Sequence, residues 1–288
     1  MGSLIGLLRI RQATKNLFVF LPLFFGLELT NGALLASAAR AFFAFTLTAW
    51  AVYLFNDIQD ADADRQHPLK KDRPLASGAV SPSTAAVLSI ALAVGGFGIM
   101  AATSLPALWI LLVYAGLNVA YSLGLKHVPI LDVAVVALGY VFRVLVGGVV
   151  TGVPLSAWIV VMTFLLALFL ALAKRRDDVV LFMKTGNQAR KVIDGYNLAF
   201  LDGAMTIMAG VVIVAYLSYA LDSEVADRLG TENLYLTTFF VILGILRYLQ
   251  LTMVEEGSGD PTQVLFRDRF LQLTLLGWLG TCLWLMYG

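Results

Sequence analysis

The sequence is poor in cysteine, histidine and charge, and each shortage excludes a class of function. A single cysteine, Cys282, stands among 288 residues, which rules out an intrachain disulfide framework and a thiolate metal cluster. Only two histidines are available as general bases. The formal net charge of +1 provides no general attraction to nucleic acid, so we predict no nucleic-acid partner. Charged residues form 14% of the chain, against about 25% in an average soluble domain.

Apolar sequence takes the place of the missing charge. Hydrophobic residues make up 59% of the chain, which predicts an all-α polytopic membrane protein. A membrane helix needs about 20 mostly apolar residues. Nine runs fit this description, and they cover residues 17–30, 33–55, 80–103, 105–124, 129–151, 153–173, 200–221, 233–253 and 268–287. The first residues lack the pattern of a removable signal peptide, so we expect these helices to direct membrane insertion.

Positive charge predicts the orientation. With nine spans, 17 of the 20 Lys and Arg residues fall on one side, and cytoplasmic loops are enriched in these residues. The N-terminus and the connections 56–79, 125–128, 174–199 and 254–267 are therefore predicted to be cytoplasmic. The opposite connections are short, so we expect the active site on the cytoplasmic side of the plasma (inner) membrane. No soluble domain interrupts the spans, which predicts one integral membrane domain over residues 1–288.

A charged segment, NDIQDADADRQHPLKKDRPLASG, follows the second apolar run. If the helix continues, Asp57, Asp60 and Asp64 share one face over about 11 Å. Carboxylates stacked in this way repel one another without a cation. Mg²⁺ is a hard ion that takes one or two carboxylates and completes its shell with water and phosphate oxygens. We therefore predict Asn56 and the three aspartates as Mg²⁺ ligands, with the aspartates catalytic, and Asp62 in solvent. The alternative is a solvated helix end.

The pattern N-D-x-x-D-x-x-x-D, followed by RQHPLKKDRPLASG, resembles the first signature of the UbiA superfamily of membrane prenyltransferases. The resemblance implies nine membrane helices around a central cytosol-facing cavity, with a Mg²⁺-diphosphate site at this motif. The superfamily also carries a D-x-x-x-D motif between its sixth and seventh helices. No aspartate pair in LALAKRRDDVVLFMKTGNQARKVIDGYNLAFLD has that spacing, and Lys174, Arg175 and Arg176 stand at its start.

Further segments resemble one branch of the superfamily, the decaprenyl-phosphate phosphoribosyltransferases. These segments are LLRIRQATKNLFVFLPLFFG, GYVFRVLVGG, LALAKRRDDV and GDPTQVLFRDRFL. The resemblance implies transfer of a 5-phosphoribosyl group from a soluble donor, phosphoribosyl diphosphate, to a polyprenyl phosphate lipid. Extra cations suit substrates with more than one phosphate. The predicted substrate contacts are Lys15, Asn16, Lys70, Arg73, Lys126, Arg143, Lys174, Arg175, Arg176 and Tyr196. For the bases, solvated membrane-anchoring charges are the alternative, and for Tyr196 an ordinary interfacial tyrosine.

Arg143 lies midway along the fifth run, where a charge is costly and normally faces a cavity or a partner. We predict that it is a cavity-facing anion ligand, and the alternative is packing against Asp132. The histidines have ordinary interpretations, with His67 at a loop surface and His127 at a helix start. A phosphate monoester is largely anionic at neutral pH, its second pKa being about 6, so the acceptor needs no strong base.

Two other functions fit parts of the pattern. One is transfer of a prenyl group from a prenyl diphosphate to an aromatic or other acceptor. The other is lipid or small-molecule transport, which explains the helices and Arg143 but not a metal motif on one side only. The sequence leaves open the polyprenyl chain length and the choice between a monomer and a homo-oligomer.

Overall fold

A computed structural model describes residues 6–66, 70–185, 191–255 and 261–287, and His67 lies outside them. The described residues contain helices and no strand. The α-helices are α1 Leu21–Phe25, α2 Gly32–Gln66, α3 Pro82–Thr103, α4 Leu105–Leu123, α5 Leu131–Thr151, α6 Ala157–Thr185, α7 Leu198–Ala220, α8 Ser223–Leu229, α9 Thr238–Met253, α10 Pro261–Arg267 and α11 Arg269–Tyr287. The 3₁₀ helices are Ile10–Phe20, Leu125–His127, Lys191–Gly195 and Asn233–Thr237.

The predicted fold class, an all-α polytopic membrane protein, is confirmed. Eight helical segments among the described residues are long and apolar enough to cross a membrane, and they correspond to the second to ninth predicted spans. Two helices extend well beyond their apolar runs, α2 to Gln66 and α6 to Thr185. Hydropathy marks the part of a helix inside the bilayer, whereas its backbone hydrogen bonds continue into the polar residues that follow.

The ends of several helices follow from local chemistry. Ser81 caps α3 by accepting a hydrogen bond from the Thr84 amide at 3.1 Å. Ser104 separates α3 from α4, because its side chain accepts from the Ala107 amide at 3.3 Å. The predicted start of the sixth span at residue 153 is wrong, since α6 begins at Ala157. Gly152 has a φ of 69°, which ends α5, and the Pro154 that follows has no amide hydrogen for a helix.

The first predicted span, residues 17–30, is not a long α-helix. The 3₁₀ helix Ile10–Phe20 has 11 residues and leads directly into α1, which has five. A 3₁₀ helix rises about 2.0 Å per residue and an α-helix about 1.5 Å, so the two together extend about 30 Å. That length is close to the hydrocarbon thickness of a bilayer, about 30 Å. The predicted count of nine membrane helices nevertheless stays a prediction.

The chain divides into two compact units, residues 1–155 and 156–288. In the first unit, α2 contacts α3, α4, α5 and the N-terminal 3₁₀ helix. A small core of Leu7, Leu54, Ala61, Leu75 and Val80 fixes the chain start and the α2–α3 loop against α2. This packing brings the basic residues of both segments to the aspartates of α2.

The second unit is built mainly from α6, α7, α9 and α11. Helix α7 contacts α6 and α9, and α9 also contacts α11. Asn197 caps α7 by accepting a hydrogen bond from the Phe200 amide at 2.8 Å. Each unit has its own helix contacts, and the prediction of a single domain around a central cavity stays a prediction.

Candidate active site

The predicted continuation of the second span past its apolar part is confirmed, and it places the aspartates on α2. The side chains of Asp57, Asp60 and Asp64 are 8%, 29% and 6% exposed. Asp62 is 92% exposed, which confirms that it points to solvent. The three aspartates spaced by three and four residues are therefore turned into the protein, and the one outside that spacing is not.

Basic side chains from separate segments meet these aspartates. Arg9, just before the N-terminal 3₁₀ helix, pairs with Asp57. Arg73, on the α2–α3 loop, donates to Oδ1 of Asp57 at 3.2 Å and to Oδ2 of Asp64 at 2.7 Å. Asp57 and Asp64 therefore share one guanidinium, although they lie two helical turns apart.

Two lysines complete this set. Lys126, in the 3₁₀ helix between α4 and α5, is buried and pairs with Asp60. The Nζ atom of Lys70 lies 3.9 Å from Oδ1 of Asp64. Three carboxylates thus meet four cations, so the cluster has a formal charge of +1. A cluster with more cations than carboxylates attracts an anion.

Asn56 contributes a buried side-chain oxygen to the site. Its Nδ2 donates to Oδ2 of Asp60 at 2.9 Å, which fixes the orientation of the amide. Its Oδ1 is buried and accepts no hydrogen bond from the described residues. A buried amide oxygen without a partner is uncommon, because its desolvation is not compensated. This atom can serve as a ligand for a cation.

The described residues contain no group of three Asp, Glu, His or Cys side chains placed to hold a metal ion. The predicted ligand set, Asn56 with Asp57, Asp60 and Asp64, stays a prediction. A Mg²⁺ ion requires only one or two carboxylates. Asp60 together with Oδ1 of Asn56 meets that smaller requirement.

Arg143 and Asn16 lie together in the first unit. Arg143, on α5, is 3% exposed, and its Nε donates to Oδ1 of Asn16 at 2.8 Å. Its Nη1 donates to the Gly139 carbonyl oxygen of its own helix. The alternative partner, Asp132, is wrong, since eleven residues of α-helix separate the two by about 16 Å. Lys15, next to Asn16, is half-buried.

The predicted basic platform Lys174–Arg176 lies on α6, in the second unit. Arg176 is 5% exposed, and it donates to Asp202 of α7 at 2.6 Å and to the Thr252 carbonyl of α9 at 2.7 Å. Arg175 is 3% exposed and pairs with Asp178 of the same helix. Lys174 is half-buried. Two of the three bases are therefore buried among protein partners.

Tyr196 lies at the other end of the same connection, just before α7. It is 7% exposed and its ring centroid lies 6.0 Å from that of Phe200. Its burial distinguishes it from an exposed tyrosine at a membrane surface.

Sequence reasoning missed Arg9 as a site residue, and it also missed Tyr53 and Asp202. The guanidinium of Arg9 lies 5.6 Å from the ring centroid of Tyr53, in addition to its pairing with Asp57. Arg9 belongs to LLRIRQATKN, a segment already singled out by resemblance, and that was the available signal. Asp202 had a weaker signal, an aspartate near the start of an apolar run.

The first unit thus carries a mixed acidic and basic cluster at the end of α2, in a chain whose described helices include eight long and apolar enough to cross a membrane. The sequence profile of the UbiA prenyltransferase family matches residues 19–274, which includes most of both units. The chain belongs to this family and is a transferase. Transport, the alternative from another class, therefore has no further support.

Curated relatives cover nearly the whole chain. The decaprenyl-phosphate phosphoribosyltransferase of Mycolicibacterium smegmatis is 33% identical over 97% of this chain and 91% of the relative. The enzyme of the same name from Corynebacterium glutamicum is 32% identical over 96% of this chain and 84% of its own length. The solved structure of a UbiA homolog from Archaeoglobus fulgidus, bound to DMAPP and Mg²⁺, has a TM-score of 0.73 at 19% identity and covers 99% of each chain. At this identity, the similarity supports the fold alone.

Proposed function

We propose that this protein transfers a 5-phosphoribosyl group from phosphoribosyl diphosphate to a polyprenyl phosphate, decaprenyl phosphate in particular, and releases diphosphate. The observation that carries the proposal is the 33% identity, over 97% of the chain, to a relative that is named for this reaction. The charge of the candidate site supports it, because both substrates carry phosphate groups. A prenyl diphosphate and a neutral aromatic acceptor would present only one diphosphate.

The bases at the aspartates are proposed as phosphate ligands. Arg9 and Arg73 are 27% and 32% exposed at their side chains, so an incoming anion can reach them. A phosphate oxygen forms the same charge-assisted hydrogen bonds with arginine as a carboxylate does. Substrate phosphates would therefore take over donors that now bind Asp57 and Asp64. Lys126 would act in the same way at Asp60, and Lys15 and Lys70 are proposed at the edge of the site.

The cofactor is proposed to be Mg²⁺. Asn56 and Asp60 would hold it, since the described part of the chain offers no hydrogen bond to the buried Oδ1 of Asn56 and Asp60 is the most exposed of the three aspartates. Asp57 and Asp64 would hold it only after exchange of their arginine partner. When bound, the ion supplies positive charge to the departing diphosphate.

The reaction exchanges one oxygen for another at the anomeric carbon of the ribose. The bond from that carbon to the diphosphate oxygen breaks, and the electron pair leaves with the diphosphate. A bond to an oxygen of the polyprenyl phosphate forms, through an oxocarbenium-like transition state. The acceptor oxygen is already anionic at neutral pH, so no proton has to be removed. The residues are needed to hold two polyanions close together, which repel each other without the surrounding cations.

The proposed location is the plasma membrane, with the N-terminus and the active site in the cytoplasm. The distribution of Lys and Arg among the predicted loops supports this orientation. A soluble phosphorylated donor then reaches the site from the cytosol, and the lipid acceptor reaches it from the bilayer.

The residues of the second unit receive different proposed roles. Lys174 is half-buried and is proposed as a substrate contact, together with Tyr196. Arg175 and Arg176, which the sequence also indicated as phosphate ligands, are proposed as structural ties because their partners are protein groups. Three bases stand where the second aspartate motif is missing. Of these, only Lys174 is then proposed to contact substrate.

A direct assay tests the proposal. Purified protein is incubated with Mg²⁺, phosphoribosyl diphosphate and decaprenyl phosphate, and the lipid product is measured by mass spectrometry. We expect the phosphoribosylated lipid and stoichiometric diphosphate, and loss of both when EDTA removes the metal. A parallel reaction contains a prenyl diphosphate and 4-hydroxybenzoate. Product in the parallel reaction alone would overturn the proposal in favour of prenyl transfer.

A further inference from the structure

The charge of Arg143 is held in the apolar part of the first unit by aromatic rings. Its guanidinium carbon lies 4.7 Å from the ring centroid of Phe45, 5.3 Å from that of Tyr114 and 5.5 Å from that of Tyr140. Ring faces attract a cation, and the attraction is stronger where water is absent. Among the described residues, no carboxylate forms an ion pair with Arg143. Its environment is thus a closed one, formed by rings, an amide and a backbone carbonyl.

Asn16 connects Arg143 to a second helix. Its Oδ1 accepts from Nε of Arg143 at 2.8 Å, and its Nδ2 donates to Oγ1 of Thr46 on α2 at 2.8 Å. Asn16 is 1% exposed and Thr46 4%. Both ends of the amide are used, so the N-terminal 3₁₀ helix is tied to α5 on one side and to α2 on the other.

One turn further along both helices, the N-terminal 3₁₀ helix also packs closely against α5. A Cβ atom at Gly147 would lie 2.1 Å from the Val19 carbonyl oxygen, so only glycine allows this approach. Arg143 and Gly147 are four residues apart on α5, and Asn16 and Val19 are three apart on the 3₁₀ helix. Each pair lies on one face of its helix. The segment GYVFRVLVG of α5 therefore forms a seat for the 3₁₀ helix.

This seat holds the helix that leads back to Arg9, in addition to the core around Leu7. Arg9 directly precedes the 3₁₀ helix, and seven residues of such a helix extend about 14 Å from Asn16. Its φ is 43°, in the left-handed region that residues other than glycine rarely adopt. Such a conformation persists only where the surrounding structure holds it. The N-terminal 3₁₀ helix supplies that support on the side of Asn16.

We propose that Arg143 is a positioning residue for the reaction and that it does not contact substrate. Through Asn16 and Thr46 it fixes the N-terminal 3₁₀ helix, and the helix places Arg9 against Asp57. This inference revises the sequence prediction of an anion ligand. Its kinetic consequence rests on the proposed phosphoribosyl transfer.

A double-mutant cycle tests the kinetic consequence. Arg143→Met removes the hydrogen bonds and the charge but keeps a long side chain, and Arg9→Gln removes the proposed phosphate ligand. Misplacement of a contact by about 1 Å can cost 100-fold, so we expect Arg143→Met to lower kcat/KM for the donor about 10- to 100-fold. In the Arg9→Gln background it should change kcat/KM less than about 2-fold, because residues acting through one another are not additive.

Arg40→Met, at an exposed arginine that contacts Ser37, is the matched control and should behave as wild type. Losses that multiply in the double variant would show that Arg143 does not act through Arg9, and they would overturn the proposal.

A spin label reports the position of the 3₁₀ helix without any assay of activity. Ile10 is 57% exposed and accepts a label as Ile10→Cys, and the native Cys282 is buried. We expect an immobilised spectrum in the parent, a more mobile one with Arg143→Met and no change with Arg40→Met. Thr46→Val removes the hydrogen bond between Asn16 and α2 but keeps the charge of Arg143. It therefore replaces Arg143→Met in the kinetic cycle and in the label measurement if Arg143→Met does not fold. The proposal would be overturned if the label were as immobile in Thr46→Val as in the parent, and equally so in Arg143→Met if that variant folds. If the parent lacks transferase activity but the label responds as expected, only the proposed function fails.

Discussion

Two basic clusters, one in each unit, look alike in the sequence and differ in the structure. In the first unit, the side chains of Arg9 and Arg73 are 27% and 32% exposed and donate to carboxylates, which a phosphate can replace. In the second unit, the Arg176 side chain is 6% exposed and one of its acceptors is a backbone carbonyl of α9. A carbonyl acceptor within a helix cannot move away to release the arginine. A basic residue at a helix end can therefore be a ligand that exchanges a carboxylate for a phosphate, or a structural tie whose partners stay in place. The hydrogen-bond partners of the residue distinguish the two cases.

The largest effect is expected at the proposed metal ligand. Asp60→Asn removes the carboxylate beside Oδ1 of Asn56 and leaves Lys126 without its charge partner. We expect a loss of about 100-fold or more in kcat, because outer-shell partners of metal ligands alone cost about 10- to 100-fold and Asp60 is proposed as a direct ligand. The measurement is turnover as a function of Mg²⁺ concentration. Asp62→Asn, at a side chain that is 92% exposed, is the matched control and should leave turnover unchanged. Full activity of Asp60→Asn would falsify the metal role.

Arg73 tests whether the first cluster is exchangeable. Arg73→Gln removes a guanidinium that Asp57 and Asp64 share. A hydrogen bond to a charged group contributes about 1.5–3 kcal/mol, so kcat/KM for the donor should fall about 10- to 100-fold. The unfolding midpoint should also fall, because the side chains of Asp57 and Asp64 are 8% and 6% exposed and lose a charge partner. Steady-state kinetics and thermal unfolding check the two expectations. A large drop in the midpoint with unchanged kinetics would make Arg73 a tie like Arg176.

Arg176 tests the opposite behaviour. Arg176→Gln leaves Asp202 without its ion pair and the Thr252 carbonyl without its side-chain donor, which loosens the contact of α6 with α7 and α9. We expect the free energy of unfolding to fall by about 2 kcal/mol, a value appropriate to a pair of which one member is partly exposed. The KM for the donor should stay within about 2-fold of wild type, since stability and substrate binding are separate here. A 10-fold rise in KM at unchanged stability would restore Arg176 as a phosphate ligand.

The smallest effect concerns another tie of the second unit. Nε and Nη2 of Arg247 donate to Oδ2 of Asp268, which lies between α10 and α11. These hydrogen bonds hold the pKa of Asp268 below its ordinary value of 3.8. A lowered pKa in the folded state stabilises the protein above the ordinary value, and this stabilisation is lost as the pH falls through the lowered pKa.

The corresponding measurement is the unfolding midpoint as a function of pH. Below about pH 4 the wild-type midpoint should fall more steeply than that of Asp268→Asn, because the variant has no carboxylate to protonate. Equal slopes for the two proteins would show that this ion pair does not contribute to stability.

Much of the fold could be predicted, because apolar runs about 20 residues long carry a strong local signal. Eight predicted spans correspond to observed helical segments, and the aspartate spacing placed Asp62 correctly in solvent. The first predicted span differs from the others, since its residues 17–20 belong to the 3₁₀ helix Ile10–Phe20 and only Leu21–Phe25 is an α-helix. Hydropathy does not distinguish a 3₁₀ helix from an α-helix, because the same side chains fit both.

The site was less predictable, because its pairs are distant along the chain. Arg9 and Asp57 are 48 residues apart, and Arg143 and Asn16 are 127 apart. The sequence indicated which side chains are unusual for a membrane, but it did not show their partners. Arg143 was therefore predicted to bind an anion, and the structure encloses it among rings. The same limit applies to Arg176, whose carbonyl partner on α9 leaves no trace in the side-chain pattern.

Ligand-dependent thermal unfolding of two variants tests the contrast between the clusters most directly. Wild type, Arg73→Gln and Arg176→Gln are heated with and without Mg²⁺ and phosphoribosyl diphosphate, and the shift in midpoint is compared. A ligand that binds only the folded state raises its midpoint. We predict that both variants begin lower than wild type, and that Arg176→Gln gains the same shift as wild type whereas Arg73→Gln gains almost none. A full shift in Arg73→Gln together with a lost shift in Arg176→Gln would contradict the account.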